Sequence, residues 1–105
     1  MGLFGPKVPE ISAGELQQLL QGTDSPFVLD VRTPAEFNQG HIPQATLIPL
    51  NELGQRLHEV PKDRHVVAVC RSGARSLTAS KHLIQAGYKV SNLQGGMMRW
   101  TGPTK

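Results

Sequence analysis

The sequence contains a single cysteine, Cys70, and this scarcity excludes several classes of protein. One thiol cannot form an intramolecular disulfide, a Cys-x-x-Cys redox pair or a zinc site built from several thiolates. A lone thiol persists most easily in a reducing compartment, so we expect a cytoplasmic protein. His58, His65 and His82 show no metal-ligand spacing, and we therefore predict no metal site.

Long apolar runs are also missing. The longest, Val66–Cys70, is far shorter than the roughly 20 residues of a transmembrane helix, so we predict no membrane partner. Residues 1–6 are too short and too interrupted for a signal peptide, and Pro6 stands where a myristoylation site has Ser or Thr. The formal net charge of +3 comes from scattered basic residues. This pattern indicates some attraction for anions and predicts no nucleic-acid partner.

What the chain does contain is an alternation of short apolar runs and helical patterns. Its 105 residues predict one domain, with a core over about residues 8–101 and short flexible ends. We predict strands at residues 8–11, 27–31, 45–48, 66–69 and 90–93. This alternation favours an α/β fold with a mostly parallel sheet, in which residues 66–69 form a central strand.

The predicted helices lie between these strands. Capping boxes at residues 12–15 and 33–36 begin two of them, which end near Gly22 and Gly40. Asn51 is predicted to cap a third helix that runs through Leu57. A fourth follows Cys70 and ends near Ala86.

The segment of residues 69–76 carries most of the chemical information. Cys70 ends a predicted buried strand and precedes a tight loop and a helix, a position where parallel sheets bind ligands. Successive backbone N–H groups of such a loop can converge on one anion, and Gly73 lets the loop curl. Arg71 and Arg75 add positive charge, so we expect a Cys70 thiolate.

A lone cysteine after an apolar strand is often only a small buried side chain. A plain strand-to-helix turn, however, needs neither two arginines nor a glycine directly after that cysteine. The loop therefore favours a reactive Cys70 over a structural one.

Residues 70–75 fit a six-residue pattern of Cys, two variable residues, Gly, one variable residue and Arg, and other motifs follow in a consistent order. On these residues the chain resembles the single-domain rhodaneses, a family of thiosulfate-type sulfurtransferases. The further matching motifs are Leu29-Asp30-Val31-Arg32 with Glu36-Phe37, Gly40-His41-Ile42-Pro43 with Ala45, Ile48-Pro49-Leu50, Gly87-Tyr88 before Val90, and Leu93 with Gly95-Gly96 and Trp100.

The resemblance implies a three-layer α/β/α fold with a five-stranded, mostly parallel sheet of order 1-5-4-2-3. It implies that Cys70 carries sulfur as a persulfide, taken from thiosulfate or a similar donor and passed to cyanide or a thiol. It implies no metal, flavin or nucleotide cofactor, and we take a monomer as the default. The implied cradle of the sulfur is Arg71, Ser72, Gly73, Ala74 and Arg75.

Supporting roles around the loop follow from position and charge. Arg71 either attracts an anionic donor at the entrance or is only a solvated surface residue. Arg75 opens a helix, where a cation is unfavourable, so we expect it to brace the loop against Asp30 or Glu36. Ser72 either bonds the persulfide or merely suits the turn.

Five further residues lie near the expected site. Ser76 is predicted to place a hydroxyl near the sulfur. Arg32 either joins the anion site or forms a structural ion pair, and we favour the ion pair. His41 either approaches the site or bonds to backbone, and we favour the backbone. Met97 and Met98, near Trp100, are predicted to pack at the rim.

Two other functions compete with sulfur transfer by thiosulfate turnover. Cysteine phosphatases and arsenate reductases place five residues between Cys and Arg, whereas four lie between Cys70 and Arg75, and a smaller ring suits sulfur better than phosphate. The domain could instead be a persulfide relay or a binding module for a partner protein. An intact loop with its cysteine argues for chemistry, but the sequence does not separate relay from enzyme.

Overall fold

Within residues 7–105, five short parallel strands form one sheet across the centre of the fold. The structure is a computed structural model that describes residues 7–105, so the predictions for residues 1–6 lie outside it. Along the sheet the strands lie in the order β1-β5-β4-β2-β3, which confirms the implied topology. The strands are β1 (Glu10–Ile11), β2 (Phe27–Asp30), β3 (Ala45–Leu47), β4 (Val66–Val69) and β5 (Val90–Leu93).

In the described part of the chain, three α-helices lie between these strands: α1 (Ala13–Gln21), α2 (Pro34–Asn38) and α3 (Ala74–Gln85). Both predicted capping boxes are confirmed, with Ser12 and Glu15 at the start of α1 and Thr33 and Glu36 at the start of α2. Their reciprocal bonds satisfy backbone N–H groups that a helix otherwise leaves free. No helix within residues 7–105 combines the length and the apolar character needed to cross a membrane.

The predicted helix at residues 51–57 is wrong. Two 3₁₀ helices, Leu50–Gln55 and Leu57–Glu59, take its place, and Pro49 precedes the first without any side-chain cap. Asn51 therefore lies inside the first 3₁₀ helix and does not begin it. Leu50 and Leu53 both pack on the core, and their three-residue spacing suits the three-residue turn of a 3₁₀ helix.

The central strand β4 separates two apolar layers. Val66 and Ala68 face the layer that contains α3, while Val67 and Val69 face the layer that contains α1. Successive side chains of a strand point to opposite faces, and both faces of β4 are completely covered. Cys70 continues this alternation into the α3 layer, so its side chain lies directly under the start of α3.

Leu29, at the centre of β2, is fully buried in the α3 layer. We expect Leu29→Ala to lower the free energy of unfolding by about 2–5 kcal/mol, because it leaves a cavity that the sheet cannot close. The control is Leu19→Ala on the 39% exposed Leu19 of α1, which we expect to change stability by about 0.5 kcal/mol or less. Urea unfolding measures both, and equal effects of the two variants would contradict the assigned core.

Candidate active site

The sulfur of Cys70 lies where the loop after β4 meets the start of α3. The Gly73 N–H donates to Sγ at 3.1 Å, and the Ser76 N–H and hydroxyl both lie 3.3 Å from it. Cys70 is only 1% exposed, so these donors take the place of water around the sulfur. The geometry of the predicted cradle is therefore present, including the hydroxyl of Ser76.

The pKa of Cys70 reflects two opposing effects. Burial raises the pKa of the thiol, because the buried thiolate loses its hydration. Hydrogen bonds from the Ser76 hydroxyl and from the N–H groups of Ser76, Gly73 and Ser72 lower it, and together they outweigh burial. The net pKa lies below the ordinary value, as we expected for a thiolate in this loop.

Gly73 gives the loop its curvature. Its φ of +105° lies in the left-handed region, and it directly precedes the first residue of α3, Ala74. A residue with Cβ would be strained there, which explains the glycine. Ser72 and Ala74 are exposed on either side of Gly73, and the backbone N–H of Ser72 helps to lower the pKa of Cys70.

Arg75 and Glu36 form the brace that we predicted for the loop. Two parallel bonds of 2.7 and 2.8 Å join the guanidinium to the carboxylate, which identifies Glu36 rather than Asp30 as the partner. The same Glu36 Oε1 accepts the Thr33 N–H of the α2 capping box. The bond from Arg75 is the largest cause that lowers the pKa of Glu36 to about 2.

Arg32 forms the favoured structural ion pair, with Asp30. Its guanidinium contacts both carboxylate oxygens, the shortest distance being 2.7 Å, and also donates to the carbonyl of Gly40 at 3.0 Å. Asp30 is fully buried and Arg32 is nearly so. The pair fixes the end of β2 against the loop that follows α2.

A cleft of about 400 Å³ opens beside the cysteine loop, and Arg71 lines it together with Arg32, Glu36, Gln39 and Gly40. Arg71 is exposed, in agreement with its expected place at the entrance. Among residues 7–105, no hydrogen bond joins His41 to the Cys70 sulfur. Its Nδ1 contacts the Phe37 carbonyl at 2.8 Å and its ring stacks on Phe37, which agrees with the backbone interpretation.

The sequence reasoning missed Asn92, which contacts the site from β5. Its Nδ2 donates to the Gly73 carbonyl and to Glu10, and its Oδ1 accepts from the Ser76 hydroxyl. Asn92 is 2% exposed in a strand of otherwise buried residues. A buried amide needs hydrogen-bond partners, so an asparagine within a predicted buried strand is the sequence feature that could have identified it.

The 3₁₀ helix Gly96–Arg99 holds the cysteine loop from the other side. The N–H groups of Met97 and Met98 donate to the carbonyls of Cys70 and Arg71 at 2.8 and 3.0 Å. The predicted packing is correct for Met97, which lies against the α1 layer, but wrong for Met98, which is 68% exposed. Met98 contacts the loop through its backbone N–H, while its side chain points outward.

These features define a class: a three-layer α/β protein with a cysteine in a cradle of backbone donors at the carboxyl edge of a parallel sheet. The model of the rhodanese-like domain matches residues 12–103 of the chain. The chain therefore belongs to the rhodanese-like family, which confirms the resemblance seen in its motifs.

Relatives that match nearly the full length of this chain support its membership of the family. A sulfurtransferase of Allochromatium vinosum is 48% identical and covers 89% of this chain and 88% of its own length. The putative sulfurtransferase YtwF of Bacillus subtilis is 36% identical over 94% of this chain and 96% of its own. The putative sulfur carrier protein YrkF of the same organism is also 36% identical, over 93% of this chain and 54% of its own.

Solved structures agree with the fold. A rhodanese-related protein from Thermoplasma volcanium superposes with a TM-score of 0.86 at 29% identity, over 92% of this chain and 97% of that chain. A rhodanese-like domain protein from Staphylococcus aureus gives 0.85 at 32% identity, over 89% and 91%.

Gly96 permits the close approach of the 3₁₀ helix to the loop. A Cβ at this position would lie within 2.6 Å of backbone atoms of Cys70 and Arg71, and the φ of +58° is left-handed. We expect Gly96→Ala to lower the free energy of unfolding by about 2–4 kcal/mol. Gly54→Ala, which meets open space, is the control and should change it by about 1 kcal/mol or less. Equal urea midpoints for the two variants would contradict this close contact.

The bond between Glu36 and Arg75 predicts a pH dependence of stability. The folded pKa of Glu36, about 2, lies below its ordinary value of 4.5, so ionised Glu36 stabilises the fold above the ordinary value. We expect the difference in unfolding free energy between wild type and Glu36→Gln to be largest above about pH 5 and to shrink as the pH falls towards 2. Urea unfolding at several pH values measures it, and a difference independent of pH would contradict the ionised pair.

Proposed function

We propose that the protein is a sulfurtransferase that carries sulfane sulfur as a persulfide on Cys70. The observation that carries this proposal is the convergence of N–H and O–H donors from Gly73 and Ser76 on Sγ. These donors favour a thiolate nucleophile, and the same donors would stabilise the charge of a persulfide. The relatives named sulfurtransferase support this chemistry.

The proposed reaction has two displacement steps. The Cys70 thiolate attacks the outer sulfur of thiosulfate, the S–S bond of the donor breaks, and its electron pair leaves with sulfite. Cyanide or an acceptor thiolate then attacks the outer sulfur of the persulfide, and the Cys70 thiolate is regenerated as leaving group. The products are thiocyanate or an acceptor persulfide, and no metal, flavin or nucleotide takes part. Covalent catalysis of this kind divides one transfer into two easier steps.

The cleft beside Arg71 suits an anionic donor. Arg71 is exposed, whereas the guanidinium of Arg32 is already paired with Asp30. We assign the attraction of thiosulfate to Arg71 and assign Arg75 to the support of the loop, because Arg75 is held by Glu36. Positive charge at a cleft entrance raises the local concentration of an anion.

A persulfide relay between proteins is the second candidate. A second cleft, of about 460 Å³, is lined by Ser72 of the loop and by Gln94, Gly95, Met98 and Arg99. The 68% exposed Met98 beside it offers an apolar contact for a protein surface. The name of the putative sulfur carrier relative also fits transfer between proteins. In either role we propose a monomer acting in the reducing cytoplasm.

Intact-protein mass spectrometry tests the proposal. After incubation with thiosulfate we expect a mass gain of one sulfur atom on the wild type, and its loss on addition of cyanide, with thiocyanate as product. Cys70→Ser should gain nothing and remain folded. Loading only by a protein or small-molecule persulfide would favour the relay. Sulfur gained by Cys70→Ser would contradict the assignment of Cys70.

The role of Arg71 is tested by kinetics with thiosulfate. We expect Arg71→Ala to raise KM for thiosulfate about 5-fold, which corresponds to about 1 kcal/mol, with little change in kcat. Lys89→Ala is the matched control, since it removes the same charge just before β5, at the opposite edge of the sheet. Equal KM increases in both variants would indicate a general charge effect, and an unchanged KM would remove the assigned role of Arg71.

A further inference from the structure

The side-chain amide of Asn92 has only one orientation compatible with its neighbours. Its Nδ2 lies 3.2 Å from the Gly73 carbonyl oxygen and 3.2 Å from Glu10 Oε2. A carbonyl oxygen and a carboxylate can only accept, so a reversed amide would place Oδ1 against two other acceptors. Asn92 therefore presents Oδ1, and not Nδ2, to Ser76.

Ser76 has one hydroxyl proton and two neighbours that can accept it. Its Oγ lies 3.3 Å from Cys70 Sγ, and its shorter contact is with Asn92 Oδ1. While Cys70 is a thiol, its S–H can donate to Ser76 Oγ, and Ser76 can donate to Asn92, so every group is satisfied. Once Cys70 loses its proton to solvent, both Sγ and Oδ1 require the same hydroxyl proton.

We propose that Asn92 is a positioning residue that competes with the Cys70 sulfur for the hydroxyl proton of Ser76. Ionisation of Cys70 then turns the Ser76 hydroxyl to the sulfur and leaves the buried Oδ1 of Asn92 without a donor. This loss disfavours the thiolate, so Asn92 opposes part of the stabilisation that the loop supplies.

This opposition has a use in sulfur transfer, and in that respect the inference rests on the proposed function. A thiolate that is stabilised too strongly is a poor nucleophile, and the best attacking thiol has a pKa near the ambient pH. Asn92 keeps Cys70 closer to that range than the loop donors alone would.

The charged groups around Cys70 come from several elements. Arg75 of α3 is paired with Glu36 of α2, Asp30 of β2 is paired with Arg32, and Glu10 of β1 contacts Asn92. The exposed Arg71 follows Cys70 directly. The substitutions below keep all of these charged residues. Asn92→Leu also removes the bond to Glu10, but it does so with and without Ser76, so the difference between the two backgrounds reports on the contact between Asn92 and Ser76.

The first experiment uses the unmodified protein. We expect the NMR signals of the Asn92 side-chain amide to shift with the same pH midpoint as the Cys70 thiol, because Ser76 changes its acceptor on ionisation. The amide of Asn51, which is exposed in the first 3₁₀ helix and contacts neither Ser76 nor Cys70 through a hydrogen bond, is the control and should show no such midpoint. The shift of Asn92 should be lost in Ser76→Ala. An Asn92 signal that does not move while Cys70 titrates would overturn the proposal.

A double-mutant cycle then measures the coupling without any sulfur donor. We expect Asn92→Leu to move the midpoint of the pH dependence of Cys70 alkylation to lower pH, with a thiolate fraction about 3- to 10-fold higher below the midpoint. In the Ser76→Ala background the same substitution should leave the midpoint unchanged. Asn92→Val, which suits a strand, replaces Asn92→Leu if that variant does not fold.

The outcomes separate this inference from a purely structural role and from the proposed function. If Asn92 only clamps the loop through Gly73, its loss weakens the cradle and moves the midpoint to higher pH in both backgrounds, which would overturn the proposal. Failure of the protein to take sulfur from thiosulfate would contradict the proposed donor and would leave the alkylation and NMR results unaffected.

Discussion

The bonds from backbone N–H groups to the Cys70 sulfur are the constraint on which the surrounding structure depends. An anion on a buried sulfur is costly unless fixed donors replace the water it has lost. Gly73 and Ser76 supply such donors only if the loop turns through a left-handed residue directly into α3. The position of the loop, the start of the helix and the glycine all follow from this single requirement.

The loop keeps this shape because other elements hold it from three sides. Glu36 binds Arg75 from α2, Asn92 binds the Gly73 carbonyl from β5, and the turn at Gly96 allows N–H groups to reach the carbonyls of Cys70 and Arg71. The parallel sheet makes this possible, since the carboxyl ends of all its strands meet at one edge. Residues far apart in sequence thereby fix the geometry around one atom.

Features set by local sequence could be predicted, and features set by distant contacts could not. The capping boxes and the β4 strand depend on neighbouring residues, and the strand order followed from the family resemblance. For Arg75 the sequence predicts a carboxylate partner, either Asp30 or Glu36, because a cation at the start of a helix needs an acidic partner. The contacts of Asn92 and the exposure of Met98 depend on how β5 and the last 3₁₀ helix meet the loop. Local sequence patterns do not predict such tertiary contacts.

Glu36 illustrates how closely two parts of this small domain are joined. One carboxylate oxygen accepts the Thr33 N–H that begins α2 and also receives a bond from Arg75. Aspartate is one methylene shorter and could not serve both partners from the same backbone position. Accumulated substitutions at residues 33, 36 and 75 should therefore depend on one another, so that a change tolerated in one sequence background is harmful in another. A helix cap and the cysteine loop thus share one evolutionary constraint.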